Sequence, residues 1–410
     1  MIGKYTRGAG LVKGGELERA AAAPLQASGW FVLRRPTDET FQAFELDVLA
    51  YRFEDGNEQS LVLEAKGGRS GFGDLWKLLG LKTHLKVDSG VLLADPSDPL
   101  HDRKVALGRG HQINVIDQDP ADLAENLAEA GAIPTEPDLD VLAAWQRCYR
   151  VEDALIATIN DKQLWQQYET IRLAKRQLQH LITKAWLEPD PWRQAFRLYR
   201  RYSEEPKIAR RMAIEINGGG WGELFKHAMY DGASEEMQAC FYLEHRKRIA
   251  VAFAATRCAT LDDETSPWAA RAPFSFREMV EQIAEEEAWY LPAVLQAYFL
   301  GFGGLICLDA EKSEFQHLAA QAGCTPAEAR FALRLFEELF PTDGGWFYDD
   351  YELSRLKLMP VPLRGAGLRM REAVYGGDWL NDLATDLQRK VAGRTELGRA
   401  AEWEKRIMLA

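Results

Sequence analysis

Apolar and polar positions change their period along this chain. The first third mixes helical and strand-like repeats, and the rest keeps helical spacing. In residues 14–28, GGELERAAAAPLQAS, Leu17, Ala21 and Leu25 share one face and predict a helix ended by Gly29. WFVLRR, FQAFELDVLAYRF and QSLVLEAK then read as three strands, the last two separated by EDGNE, whose Asp55-Gly56 is a hairpin signal. A helix is predicted over about residues 73–86, then the strand SGVLLAD, a helix near 101–109 and the strand QINVID. The order αβββαβαβ predicts a mixed sheet with helices against it, an α/β domain over residues 1–130.

Residues 131–140, GAIPTEPDLD, read as a linker, and residues 141–410 as an all-α region of one or two subdomains. There Leu164, Tyr168, Ile171, Leu178, Leu181 and Ala185 recur at helical spacing, and Asp190-Pro191 is a cap-and-first-turn start for another helix. Residues 288–308 carry no charge over a length that spans a bilayer. Pro292, Gln296 and the glycines there, with acidic flanks, predict a buried helix pair broken near Gly301–Gly304 instead.

Composition changes this picture little. The 410 residues are 47% hydrophobic and 27% charged, the balance of a globular protein. That length predicts more than one core. The five cysteines form no CxxC pair, and the first residues lack an apolar leader, so a reducing cytoplasm and no membrane are expected. Charge is more informative. The net charge is −12, yet residues 162–211 hold 12 Lys/Arg against 5 Asp/Glu. A basic segment lies inside an acidic whole.

The candidate chemistry sits in LVLEAKGG, residues 61–68, where an apolar strand ends in Glu64 and Lys66. Ionised groups there cost free energy unless they are paired or used. A turn centred near Gly56 would set Asp47 opposite residue 65, diagonal to Glu64 and Lys66; whether Asp47 shares their face is open at this level. Two neighbouring carboxylates make a seat for a hard divalent cation, and an adjacent lysine stabilises charge on a phosphodiester. For an isolated Glu-x-Lys a surface ion pair is the better account, since the tripeptide is common. Glu45 is an alternative to Asp47, and Glu16 to Glu18.

The run of Glu18 on the first helix, Asp47, a hairpin, Glu64-Ala65-Lys66 and a following helix resembles the PD-(D/E)xK nuclease superfamily, the restriction-endonuclease-like fold. Residues 11–118 are similar to its Holliday-junction resolvase and Mrr-type branches. The resemblance implies Glu18, Asp47, Glu64 and the Ala65 carbonyl as metal ligands, with Asp47, Glu64 and Lys66 catalytic. It further implies Mg²⁺, replaceable by Mn²⁺, DNA as substrate, a homodimer or defence-complex partner, and a role in restriction or anti-phage defence. Leu46 stands where the family name has proline. An RNase, or a silent nuclease fold that binds nucleic acid or protein, is the alternative.

The loop GGRSGFGD fails the Rossmann, P-loop and nucleophile-elbow patterns. Arg69 and Lys77 beside it are candidates for phosphate contact. In the helical region Arg172, Lys175 and Arg176 share one face, and Arg193, Arg197, Arg200 and Arg201 another. Aromatic residues interleave them, so they read either as a phosphate-tracking surface with stacking platforms or as a solvated face over an aromatic core.

Overall fold

The computed structural model describes residues 7–36, 46–54, 57–67, 70–134, 184–204, 249–261, 266–302, 305–307, 311–339 and 356–358, with isolated positions between 137 and 149. The chain divides into two compact units, Met1–Gln146 with Ile182–Gln194, and Arg147–Leu181 with Ala195–Ala410. The first unit thus runs past residue 130 and takes in a later segment. The apolar surface of that segment explains why: Trp186 is fully buried, 5.7 Å from the ring of Phe31.

In the first unit, α1 (Arg7–Ala27) is followed by β1 (Phe31–Arg34), β2 (Val48–Glu54), β3 (Asn57–Ala65), α2 (Phe72–Leu85), β4 (Ser89–Ala94), α3 (His101–Arg109), β5 (Ile113–Asp117) and α4 (Leu123–Glu129). The five strands form one sheet in the order β1-β2-β3-β4-β5. The β1/β2 and β2/β3 pairs are antiparallel, and β3/β4 and β4/β5 are parallel. This mixed sheet with helices is the architecture expected from the periodicity. Helix α4 was not foreseen; Leu123 and Leu127, one turn apart, bury it against α1 and β5.

Gly29 ends α1 as expected. Its φ of 89° is left-handed, and Trp30 N–H reaches the Leu25 carbonyl while Gly29 N–H reaches that of Gln26. These two bonds satisfy the last helical carbonyls. The hairpin register differs from expectation by one residue. Glu54 pairs with Asn57 and Val48 with Leu63, one position away from the register that a turn centred on Gly56 would give. Continued one step, that register sets Asp47 opposite Glu64 rather than residue 65. Opposite residues of an antiparallel pair project to the same side. Glu64 in turn pairs with Leu92, and Val62 with Gly90, where Leu78 of α2 packs. Glu64 therefore lies on the sheet face covered by α2.

The described part of the second unit is mostly helical, with helices Phe274–Glu285, Leu291–Phe302, Glu311–Ala322 and Pro326–Leu339. It is not all-α. Leu305–Cys307 pairs antiparallel with Leu356–Leu358, so the apolar stretch 288–308 gives one helix and a strand in place of a helix pair. Among the described residues no helix is long and apolar enough to cross a membrane.

Candidate active site

The site forms where β2 and β3 end together. Asp47 lies one residue before β2, and its Oδ2 accepts the Ala65 N–H at 2.6 Å. The carboxylate takes the role a strand carbonyl would have had, and so joins the two strand ends. Glu64 is 0% exposed. Its Oε1 accepts hydrogen bonds from Lys66 Nζ at 2.5 Å and from Lys77 Nζ, on α2, at 2.7 Å. Its Oε2 is buried and has no hydrogen-bond partner. A buried carboxylate oxygen normally has a donor or a cation, because leaving water uncompensated is costly.

Two more acids face this centre. Asp74, in the first turn of α2, has Oδ1 3.6 Å from Lys66 Nζ, while its Oδ2 caps the helix through Gly71 N–H at 2.7 Å. Glu18 of α1 is buried, and its Oε2 accepts from Arg35 Nε. Arg35 has a left-handed backbone, φ 52°, and its N–H bonds the Asp47 carbonyl at 3.0 Å. Such a conformation in a non-glycine residue costs on the order of 1 kcal/mol or more and persists only where its surroundings impose it. Here the imposing contacts are Glu18 on one side and Asp47 on the other.

The electrostatics follow from this crowding. Burial, then the charges of Glu64 and Glu18, push the Asp47 carboxyl up to about 7, against the pull of the Ala65 N–H and Lys66. For Lys66, burial alone would lower the ammonium. The hydrogen bond and charge of Glu64, with Asp47 and Asp74 behind it, outweigh burial and raise it. Lys66 is thus cationic at neutral pH, and Asp47 is poised to gain or lose its proton there.

Of the residues read from sequence, Glu18, Asp47, Glu64, Ala65, Lys66 and Lys77 occupy one neighbourhood, with Lys77 on the carboxylate of Glu64. Glu16 is exposed on α1. Glu45, Arg69, Arg172, Lys175 and Arg176 lie outside the described residues, as does the side chain of Arg201. Arg193 pairs with Glu188 at 3.1 Å, and its N–H takes the expected cap from Asp190 at 3.0 Å. Arg200 is exposed and Arg197 half-buried on the same helix. The aromatics beside them pack inward. Trp192 is buried, Phe196 stacks near Trp268 at 6.4 Å and Tyr199 near Phe276 at 4.9 Å. Trp192 thus serves the core, whereas Phe196 and Tyr199 keep part of their surface in solvent.

The sequence reading missed Arg35 and Asp74. Asp74 was detectable, since it precedes Lys77 by three residues and so shares its helix face. It also missed a buried anchor for the loop after Lys66. Lys104 Nζ donates to Ser70 O at 2.5 Å, to Ser70 Oγ at 2.7 Å and to Asp98 Oδ2. All three ammonium hydrogens are used, which is how a fully buried lysine is tolerated.

Comparison with known proteins found no matching family model, no matching curated protein and no matching solved structure. Among the described residues no three His, Cys, Asp or Glu side chains are grouped to hold a metal ion.

Proposed function

We propose that the first unit is a metal-dependent phosphodiesterase of restriction-endonuclease-like fold that cleaves DNA. The observation that carries this reading is the buried Glu64, with one oxygen clamped by two lysines and the other unsatisfied, across the strand end from Asp47. A hard divalent cation fits that unsatisfied oxygen. Glu64 and Asp47 would hold Mg²⁺, or Mn²⁺ in its place, with the Ala65 carbonyl beside them and Glu18 behind. Bound there, the ion supplies Lewis acidity for water and phosphate. The remaining work belongs to the chain. Lys66, partly exposed and held cationic, faces the charge that develops on the phosphoryl oxygens. Arg35 and the Ala65 N–H fix Glu18 and Asp47 in place.

The test is cleavage of supercoiled plasmid, single-stranded DNA and RNA with Mg²⁺ or Mn²⁺, comparing wild type with Lys66→Ala. The expected result is metal-dependent cutting of DNA that falls by about 10²–10³ in the variant. Cutting by wild type and variant alike sinks the assignment of Lys66. No cutting by either, with DNA still bound, favours a silent nuclease fold in which the lysines merely neutralise Glu64. Cutting confined to RNA makes it an RNase.

A further inference from the structure

A second feature lies on the outer face of α2, next to the Glu64 centre. Trp76 is 52% exposed. Its ring meets the imidazole of His111 edge-on, with centroids 6.2 Å apart. Gly73 and Gly80, one turn before and after it, have open space where a Cβ would stand. Glycine inside a helix is unfavourable relative to alanine, and here no packing requires it. Its effect is to leave the backbone bare on both sides of an exposed indole.

The charge along α2 around this indole is mainly positive, with acids at its margins. Residues 75–87 contain three lysines and no acid, and residues 103–116 add Arg103 and Arg109, Lys104 between them being buried against Asp98. Lys77, Lys86, Arg103 and Arg109 are exposed, and Lys82 reaches Gln112 beside His111 at 3.1 Å. Helices α2 and α3 are in contact, and the Trp76–His111 ring pair and the Lys82–Gln112 bond tie the end of α3 to the Trp76 side of α2. Of the nearby acids, Asp74 caps α2, Asp88 is turned into Ser60 and Asp102 sits at the start of α3. A basic face with a bare aromatic ring lies on a unit whose net charge is acidic.

We infer that the α2 face centred on Trp76 binds an unpaired DNA strand, one base stacking on the indole while Lys82 and Lys86 track the phosphates. The inference rests on the nuclease reading of the Glu64 centre and names its substrate class. A polyanion is selected by the cations. The unpaired state is selected by the ring, since a base offers its face for stacking only outside a duplex. Lys77 follows Trp76 in sequence and bonds Glu64, so a strand on this face is led towards the site.

The experiment is fluorescence anisotropy of labelled single-stranded DNA, duplex DNA and RNA of equal length with the full chain in chelator, where no cutting occurs. Trp76→Ala is expected to weaken single-strand binding about tenfold and leave duplex binding unchanged, with Trp76→Phe restoring most of the loss. Lys82→Glu with Lys86→Glu should weaken all three and reduce the salt slope by about one per lysine lost. Because Trp76 is exposed, these variants should fold; their melting curves check it. Equal single-strand binding by wild type and Trp76→Ala overturns the inference, and so does preferential, Trp76-dependent binding of RNA. A change in oligomeric state without a change in DNA binding also overturns it, making the face a protein contact. Plasmid cleavage lost in Lys66→Ala but kept in Trp76→Ala would leave the nuclease reading standing if the stacking inference fell.

Discussion

The ammonium of Lys77, on α2, lies 2.7 Å from the buried Oε1 of Glu64, on β3, the same oxygen that Lys66 holds. Lysines from two consecutive segments, the end of β3 and α2, therefore neutralise one carboxylate that has no access to water. Either lysine alone still leaves Glu64 paired. Removing both leaves a buried charge uncompensated, a loss that typically costs about 3–5 kcal/mol. Denaturant unfolding of Lys66→Ala, Lys77→Ala and the double variant should show a double loss exceeding the sum of the singles. Additive losses would mean that the lysines do not share Glu64.

Asp47 makes stability depend on pH in a stated direction. Its folded value is raised from 3.8 to about 7, so the native state binds more protons than the unfolded state between those limits. The stabilisation from its protonated form is complete below about pH 3.8 and is lost as pH rises to about 7. Asp47→Asn keeps an acceptor for the Ala65 N–H and removes the titration. In chelator, the difference in melting temperature between variant and wild type should grow in the variant's favour from about pH 4 to about pH 7. A difference that is flat, or of opposite slope, contradicts the crowding of Asp47 by Glu64 and Glu18.

Much of this was legible in the residues, and the failures have physical causes. The apolar runs around Leu49 and Val62 and the Asp55-Gly56 turn specified a hairpin, because strand period and turn chemistry agree there. The register was missed by one residue because the expectation centred the turn on Gly56, whereas Glu54 pairs with Asn57. That single step decides whether Asp47 meets Glu64 or its neighbour. Arg35 was invisible since its role depends on β1 closing on β2, a contact that no local pattern encodes. Lys104 reads as a surface lysine in His101–Arg109. Only the return of the loop carrying Ser70 turns it into a core residue.

Lys104 supports the next prediction. It is 0% exposed and ties Asp98 to both polar groups of Ser70, four residues after Lys66. Lys104→Met leaves Asp98 buried without its cation and should lower stability by about 3–5 kcal/mol. Adding Asp98→Asn removes the stranded charge and should recover part of the loss. Thermal unfolding of the single and double variants measures this. If Lys104→Met is neutral, the anchor does not hold the loop.

Two glycines on neighbouring helices should respond in opposite ways to the same methyl group. At Gly80 an added Cβ meets nothing, so Gly80→Ala gains only the reduced backbone freedom of the unfolded chain, about 0.5–1 kcal/mol of stability. At Gly108 the Cβ would stand 2.5 Å from the Ile113 carbonyl oxygen, where α3 crosses close to β5. Backbone cannot yield as a flexible side chain can, so Gly108→Ala must push the helix off the strand, a displacement that typically costs about 1–3 kcal/mol. Denaturation midpoints should rise for the first variant and fall for the second. A fall for Gly80→Ala would show that the bare backbone beside Trp76 is needed for folding, and the case for keeping it open to a ligand would lose its footing.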